Sequence, residues 1–223
     1  MIAKGTPFVA SYSGGKDSTL ALWRAVRAGG KPLALLTMLD ETGGRSRSHG
    51  ILPAVLDAQA AALGLPRISG QASWGDYERV FVEQLGRARA MGAVAAVFGD
   101  IDLAAHRQWE EQVCAQASLA PVLPLWGEDR LALVREFVDA GFAARIVVIR
   151  RDLMADDYLG RVLDHALIER MLADGIDPCG EAGEFHTLVT GGPLFAKPLA
   201  LADGDVRADG DYLSLDFGLA ASI

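Results

Sequence analysis

Phe8-Val9-Ala10-Ser11-Tyr12-Ser13-Gly14-Gly15-Lys16-Asp17-Ser18 decides how this 223-residue chain is read. Phe8 to Tyr12 is a short, largely apolar run, the composition of a buried strand. A helix is predicted from Ser18, with apolar positions at Leu22, Trp23 and Val26, and Gly29-Gly30 ends it. Between strand and helix, two glycines let the backbone turn tightly and approach an anion with no Cβ in the way. Backbone N–H groups at a helix N-terminus point at such an anion and carry partial positive charge. Lys16 adds a full charge, and Ser13 and Ser18 add hydroxyl donors. Asp17 is an odd neighbour for an anion, and its most economical role is to hold Mg²⁺, which takes carboxylate and phosphate oxygens together. The stretch is not a Walker A loop, because Ala10 and Asp17 stand where that loop needs Gly and Ser/Thr. Nor is it a GxGxxG dinucleotide loop.

Outward from this stretch, strand and helix patterns alternate. Pro32 to Met38 reads as a strand. A helix carries Leu52, Val55, Leu56, Ala60 and Leu63, and stops at Gly64. A short strand near Arg67 to Ser69 precedes a helix with Tyr77, Val80, Phe81, Leu85 and Ala88. Val94 to Phe98 then runs into Gly99-Asp100. Continuous apolar strands joined by crossover helices imply a mostly parallel sheet covered on both faces. Ligands of such sheets bind beyond the carboxyl ends of the strands, which singles out Ser13 to Ser18, Asp40 to His49 and Gly99 to Arg107.

The second half differs. A helix over Trp109 to Ala117 leads to Pro121-Val122-Leu123-Pro124-Leu125-Trp126, then a helix with Leu131, Val134, Phe137 and Val138. Arg145 to Ile149 reads as a strand, and Leu159, Val162, Leu163, Ala166, Leu167 and Arg170 as one helix. A polar, glycine-rich loop spans Asp177 to Glu184. Val206 to Phe217 reads as a hairpin turning at Asp209-Gly210. The expectation is an α/β domain over residues 1–120 and a smaller α+β domain over 121–223.

Lys plus Arg number 21 and Asp plus Glu 29, a net charge of −8. That balance offers no broad basic face to displace counterions from nucleic acid. Cys114 and Cys179 are too few for a disulfide framework or a four-cysteine zinc site, and read as reduced thiols. The absence of a long apolar run and of a signal-type N-terminus points to a cytoplasmic protein with no membrane contact.

Ser13-Gly14-Gly15-Lys16-Asp17-Ser18 resembles the signature of the PP-loop ATP pyrophosphatases. His49-Gly50-Ile51 with Gln59-Ala60, Gly99-Asp100-Ile101-Asp102, His106-Arg107 with Trp109, Pro124-Leu125-Trp126 and Gly180-Glu181-Ala182-Gly183-Glu184-Phe185-His186-Thr187 extend the likeness. Together they resemble the diphthine–ammonia ligase family over nearly the whole chain. The resemblance implies a Rossmann-like fold of the adenine nucleotide alpha hydrolase-like kind. It also implies ATP and Mg²⁺ as cofactors, ammonium and a carboxylate-bearing substrate as partners, and release of AMP and pyrophosphate. The carboxylate would sit on a modified protein side chain or a small molecule; the family's named substrate is diphthine, a modified histidine of elongation factor 2. One departure stands out: Glu184-Phe185-His186-Thr187 replaces the Glu-Tyr-Glu-Thr of eukaryotic and archaeal ligases. That resembles a related branch, for part of which corrinoid amidation has been suggested. With no glutaminase domain evident, free ammonium is the expected nitrogen donor. A homodimer is among the assemblies open to it.

The resemblance assigns Ser13, Gly14, Gly15, Lys16, Asp17 and Ser18 to the pyrophosphate portion of ATP, with Asp17 also the metal ligand. Met38 would meet adenine through main-chain groups; as a residue, a strand-end methionine equally suits plain core. Asp100 would face the crevice, or serve as a turn or cap residue. Arg107 would clamp a phosphate or the substrate carboxylate with its planar fork, or form a surface ion pair. His49 would lie near the nucleotide or in a solvated loop. Glu181, Glu184 and His186 are the candidate catalytic groups: the paired carboxylates would attract ammonium, take its proton or share a Mg²⁺, and His186 would accept a proton near neutral pH, or all three belong to a salt-bridged loop packed on the first domain. Two rivals stand beside the ligase. A PP-loop sulfur transferase acting on tRNA would need a reactive thiol and a basic RNA surface. A nucleotide-sensing module would bind ATP without turnover.

Overall fold

Each apolar run of the first half becomes a strand, and an amphipathic helix returns the chain to the same edge of the sheet. The computed structural model describes residues 2–220. In order come β1 (Pro7–Ser11), α1 (Lys16–Arg27), β2 (Lys31–Leu39), α2 (Pro53–Leu63), β3 (Arg67–Gln71), α3 (Tyr77–Ala90), β4 (Ala95–Val97), α4 (Ala104–Ala117) and β5 (Ala120–Val122). The five strands form one sheet in the order β3-β2-β1-β4-β5. Every pairing is parallel. β1 lies in the middle with Phe8, Val9 and Ala10 fully enclosed. Its neighbours β2 and β4 are connected in opposite directions, so the crevice of this α/β sheet opens at the carboxyl end of β1.

The chain divides into two compact units, Met1–Ser13, Asp17–Arg47 and Gly64–Glu128 forming the first, and Gly14–Lys16, Ser48–Leu63 and Asp129–Ile223 the second. One core cluster of the first unit joins its helices to its sheet. In it Val80, Phe81, Leu85 and Ala88 of α3 and Val113, Cys114 and Ala117 of α4 meet Val9, Leu36, Ala96 and Phe98. Their spacing of three and four residues is what puts them on one helix face. The Phe81 ring lies 5.0 Å from Trp109 and 6.3 Å from Phe98.

The second unit holds α5 (Arg130–Asp139), β6 (Ala143–Arg150), α6 (His165–Ala173), β7 (Phe185–Gly191), β8 (Leu201–Asp209) and β9 (Tyr212–Leu219). Its strands make an antiparallel sheet in the order β7-β6-β9-β8. Asp129 caps α5 by accepting the Ala132 N–H at 2.8 Å, and Asp164 caps α6 by accepting that of Leu167 at 2.8 Å. The expected hairpin is present and longer than its sequence signal, turning at Gly210 with φ +55°.

Several local expectations need correction. Leu159 to Leu163 is not helical; Gly160 adopts φ +78° and Val162 makes a bridge to Arg145, so α6 begins only after the Asp164 cap. α4 starts at Ala104, five residues ahead of the apolar pattern, because its first turn is exposed and shows no buried stripe. β7 had no strand signal of its own, since its buried residues include Thr187. Among the described residues no helix is long and apolar enough to cross a membrane.

Candidate functional site

In the first unit the site starts at the carboxyl end of β1. Tyr12 is 1% exposed, its N–H bonded to the Leu36 carbonyl at 2.8 Å. Its phenol oxygen accepts from the Thr19 hydroxyl at 3.3 Å, and burial pushes that phenol well above its ordinary pKa. The Ser13 and Ser18 hydroxyls are 3.2 Å apart. Asp17 lies in the first turn of α1, half-buried. It is an oxygen donor at the head of a helix, the donor chemistry that Mg²⁺ selects. Across the crevice, a Cβ on Gly99 would stand 2.8 Å from the Asp17 carbonyl carbon and 2.8 Å from Ser18 N. Only a glycine lets the turn after β4 lie so close to the first turn of α1.

Asp100 follows directly. Its Oδ1 lies 2.7 Å from His106 Nδ1, and both side chains reach solvent. Arg107 pairs with Glu111 at 2.8 Å, and its guanidinium lies over the Trp126 ring at 5.1 Å. Met38 is 6% exposed within the core cluster, and its carbonyl accepts the Arg47 N–H at 3.0 Å.

The loop tip, Gly14–Lys16, belongs to the second unit, which holds it from three directions. The Gly14 carbonyl accepts the Val189 N–H at 2.9 Å and the Gln59 Nε2 at 3.0 Å. Gln59 Nε2 also donates to the Val189 carbonyl at 2.7 Å, and Gln59 is fully enclosed. The Lys16 N–H donates to Thr187 Oγ1 at 3.0 Å. His49 Nδ1 lies 2.8 Å from the Thr187 carbonyl oxygen, which makes that nitrogen the donor. A Cβ on Gly15 would run into the His49 ring. Lys16 is 5% exposed, its ammonium 5.7 Å from the centre of the Phe185 ring. Burial, with a smaller push from the Lys16 charge, lowers the His49 pKa to about 4, so its imidazole is neutral. The His186 ring lies 4.6 Å from it.

Glu181 and Glu184 part company. Glu184 is 7% exposed and its Oε2 accepts the Ala182 N–H at 3.0 Å, folding the loop on itself. Glu181 is half-buried in the same turn. Both cysteines are buried and neither forms a disulfide. Burial and the nearby Glu110 push the Cys114 thiol up to about 12, so it is no nucleophile near neutral pH.

The geometry brings Gln59 and Thr187 to the loop tip, which residue reading alone did not foresee. Glu110 was missed as well, although a glutamate among Val113, Cys114 and Ala117 on an apolar helix face is a visible anomaly. Residues 7–121 match the family model described as diphthamide synthase N-terminal domain, and residues 129–215 match the corresponding C-terminal domain. The chain belongs to the diphthamide synthase family. Its curated relatives in that family include the diphthine–ammonia ligase of Homo sapiens, 27% identical, covering 88% of this chain and 83% of the human protein. The Danio rerio protein of the same name is also 27% identical, covering 86% and 85%. That of Schizosaccharomyces pombe is 26% identical over 87% of this chain, and the match spans only 36% of the fission-yeast protein. Among solved structures, a Methanocaldococcus jannaschii chain described as a "predicted subunit of tRNA methyltransferase" superposes at a TM-score of 0.45. It is 16% identical, with 83% of this chain and 97% of that one covered.

Proposed function

We propose that this member of the diphthamide synthase family is an ATP-dependent ligase that converts a carboxylate to an amide. A substrate carboxylate oxygen attacks the α-phosphorus of ATP, the bond to the bridging oxygen breaks, and pyrophosphate leaves. Ammonia then attacks the carbonyl carbon of the acyl-adenylate, and AMP leaves with the former carboxylate oxygen. Ammonium gives up one proton to solvent to become ammonia, and the nitrogen loses a second as the C–N bond forms; we assign that second proton to a base in the Glu181–His186 segment.

The observation that carries this reading is the Ser13–Ser18 turn at the head of α1, in a chain whose relatives are C–N ligases. Lys16, the α1 N-terminus and the two serine hydroxyls are the groups we assign to the departing pyrophosphate. Such preorganised charge needs no rearrangement as the transition state forms. Mg²⁺ held by Asp17 would neutralise phosphate charge when bound. Met38, Asp100 and Arg107 are assigned to the nucleotide side of the crevice. Residues 1–120 are taken as the nucleotide half, and 121–223 as the half that receives the carboxylate.

Diphthine, for which the relatives are named, is the first acceptor to test. The chain is incubated with α-labelled ATP, Mg²⁺, ammonium and diphthine-bearing elongation factor 2, and the nucleotides are separated. AMP formed in step with amide is the expected result. ADP as the sole labelled product would overturn the mechanism.

A further inference from the structure

Glu110 has no place in the reaction above, yet it is the most awkwardly placed carboxyl in the first unit. It is 2% exposed, and its Oε2 has no hydrogen-bond partner. Its side chain lies within hydrogen-bonding reach of the Asp100 carboxyl. Burial and that neighbouring carboxyl both penalise the ionised form of Glu110, so Glu110 keeps its proton. The groups facing Glu110 are Asp100 from the turn after β4, and Glu111 and Cys114 from α4. None is a cation. Burial first, then Asp100 and Glu111, push the Glu110 pKa up to about 10.

Asp100, in contrast, reaches solvent at the crevice, with His106 Nδ1 on its Oδ1. It directly follows Gly99, whose backbone touches the first turn of α1. We propose that Glu110 is a positioning residue for Asp100: as a neutral acid it donates its proton in a hydrogen bond to the Asp100 carboxylate. With His106 it holds that carboxylate as a fixed acceptor for a hydroxyl or amino group of the nucleotide. The proposal rests on the nucleotide-binding role assigned to Asp100 above, and it gives a buried carboxyl on an apolar helix face a task that leucine could not perform.

The test uses the full chain with Mg²⁺ and the α,β-methylene analogue of ATP, titrated by calorimetry alongside thermal melts. Glu110→Gln keeps a neutral donor and should bind within about twofold of the parent. Glu110→Leu should bind about tenfold more weakly while melting at least as high, since it removes an unpartnered buried oxygen. An infrared carbonyl band of a protonated carboxyl should persist at pH 8 in the parent and vanish in Glu110→Gln. Asp100→Asn separates the two readings. If it binds like the parent, the role given to Asp100 fails and the proposal with it. If Asp100→Asn is weakened but Glu110→Leu is not, or if Glu110→Gln is as weak as Glu110→Leu, the proposal alone is overturned.

Discussion

His49 and Thr187 stand 138 residues apart in the chain, yet His49 Nδ1 lies 2.8 Å from the Thr187 carbonyl oxygen. Thr187 Oγ1 in turn accepts the Lys16 N–H, so one histidine braces the strand that braces the loop tip. A protonated ring would sit beside the Lys16 ammonium, which is why neutrality matters here.

That neutrality sets a pH dependence. The ring titrates near 6.5 when unfolded and near 4 when folded, so the unfolded chain binds the extra proton between those values. Stability is therefore full above about pH 6.5 and declines as pH falls towards 4. An enclosed ring would lose about 3 kcal/mol, and partial solvent access brings this to about 2 kcal/mol. Denaturant melts between pH 7 and pH 4.5 measure it. His49→Asn, whose Nδ2 replaces Nδ1 as donor without titrating, should flatten that part of the profile; an unchanged slope would assign it to other groups.

Gln59 makes the second brace. Its amide donates to two buried carbonyls, Gly14 and Val189. Gly14 keeps the Val189 N–H when Gln59 is lost, but the Val189 carbonyl loses its side-chain donor. Gln59→Leu should cost about 2 kcal/mol, the range for one stranded buried acceptor. The denaturation midpoint should fall with the m-value unchanged, and the ATP analogue should bind more weakly because the loop tip is less fixed.

Gly99 tests the close approach to the first turn of α1. A methyl group there meets backbone atoms of Asp17 and Ser18 that cannot swing aside as a side-chain end would. Gly99→Ala should cost about 1–3 kcal/mol, the usual penalty of overpacking. It should also weaken nucleotide binding, because the first turn of α1 must shift. A Gly99→Ala variant with parental melting temperature and affinity would show that the turn has room to spare.

How far these features were legible follows from their range. β1, the Ser13–Ser18 turn and α1 are local, and their glycines, capping polarity and apolar spacing appear in one continuous stretch, Pro7 to Arg27. Parallel pairing followed from strands that were apolar throughout. The bracing of Gly14 and Lys16 by Gln59, Thr187 and His49 is long-range, and no local period encodes it. α6 was misplaced because Leu159, Val162 and Leu163 mimic a helical stripe, while Gly160 and the Asp164 cap decide otherwise. Glu181 and Glu184 looked equivalent in the sequence, since a spacing of three carries no information about which oxygen a loop N–H claims.

The structure separates those two carboxylates, and variants should do the same. Glu184 accepts the Ala182 N–H from a site with almost no solvent access. Glu184→Gln offers a neutral amide to that N–H in place of a charge-assisted acceptor, and should cost about 1 kcal/mol with a matching drop in melting temperature. Glu181→Gln, in the same turn but half-buried, should melt within a degree or two of the parent. If Glu181 takes the proton from ammonium, its variant should lose amide formation while still forming acyl-adenylate, detected as pyrophosphate exchange into ATP. Loss of that exchange along with amide would move Glu181 from the second step to the first, and unimpaired amide formation would leave the proton to His186.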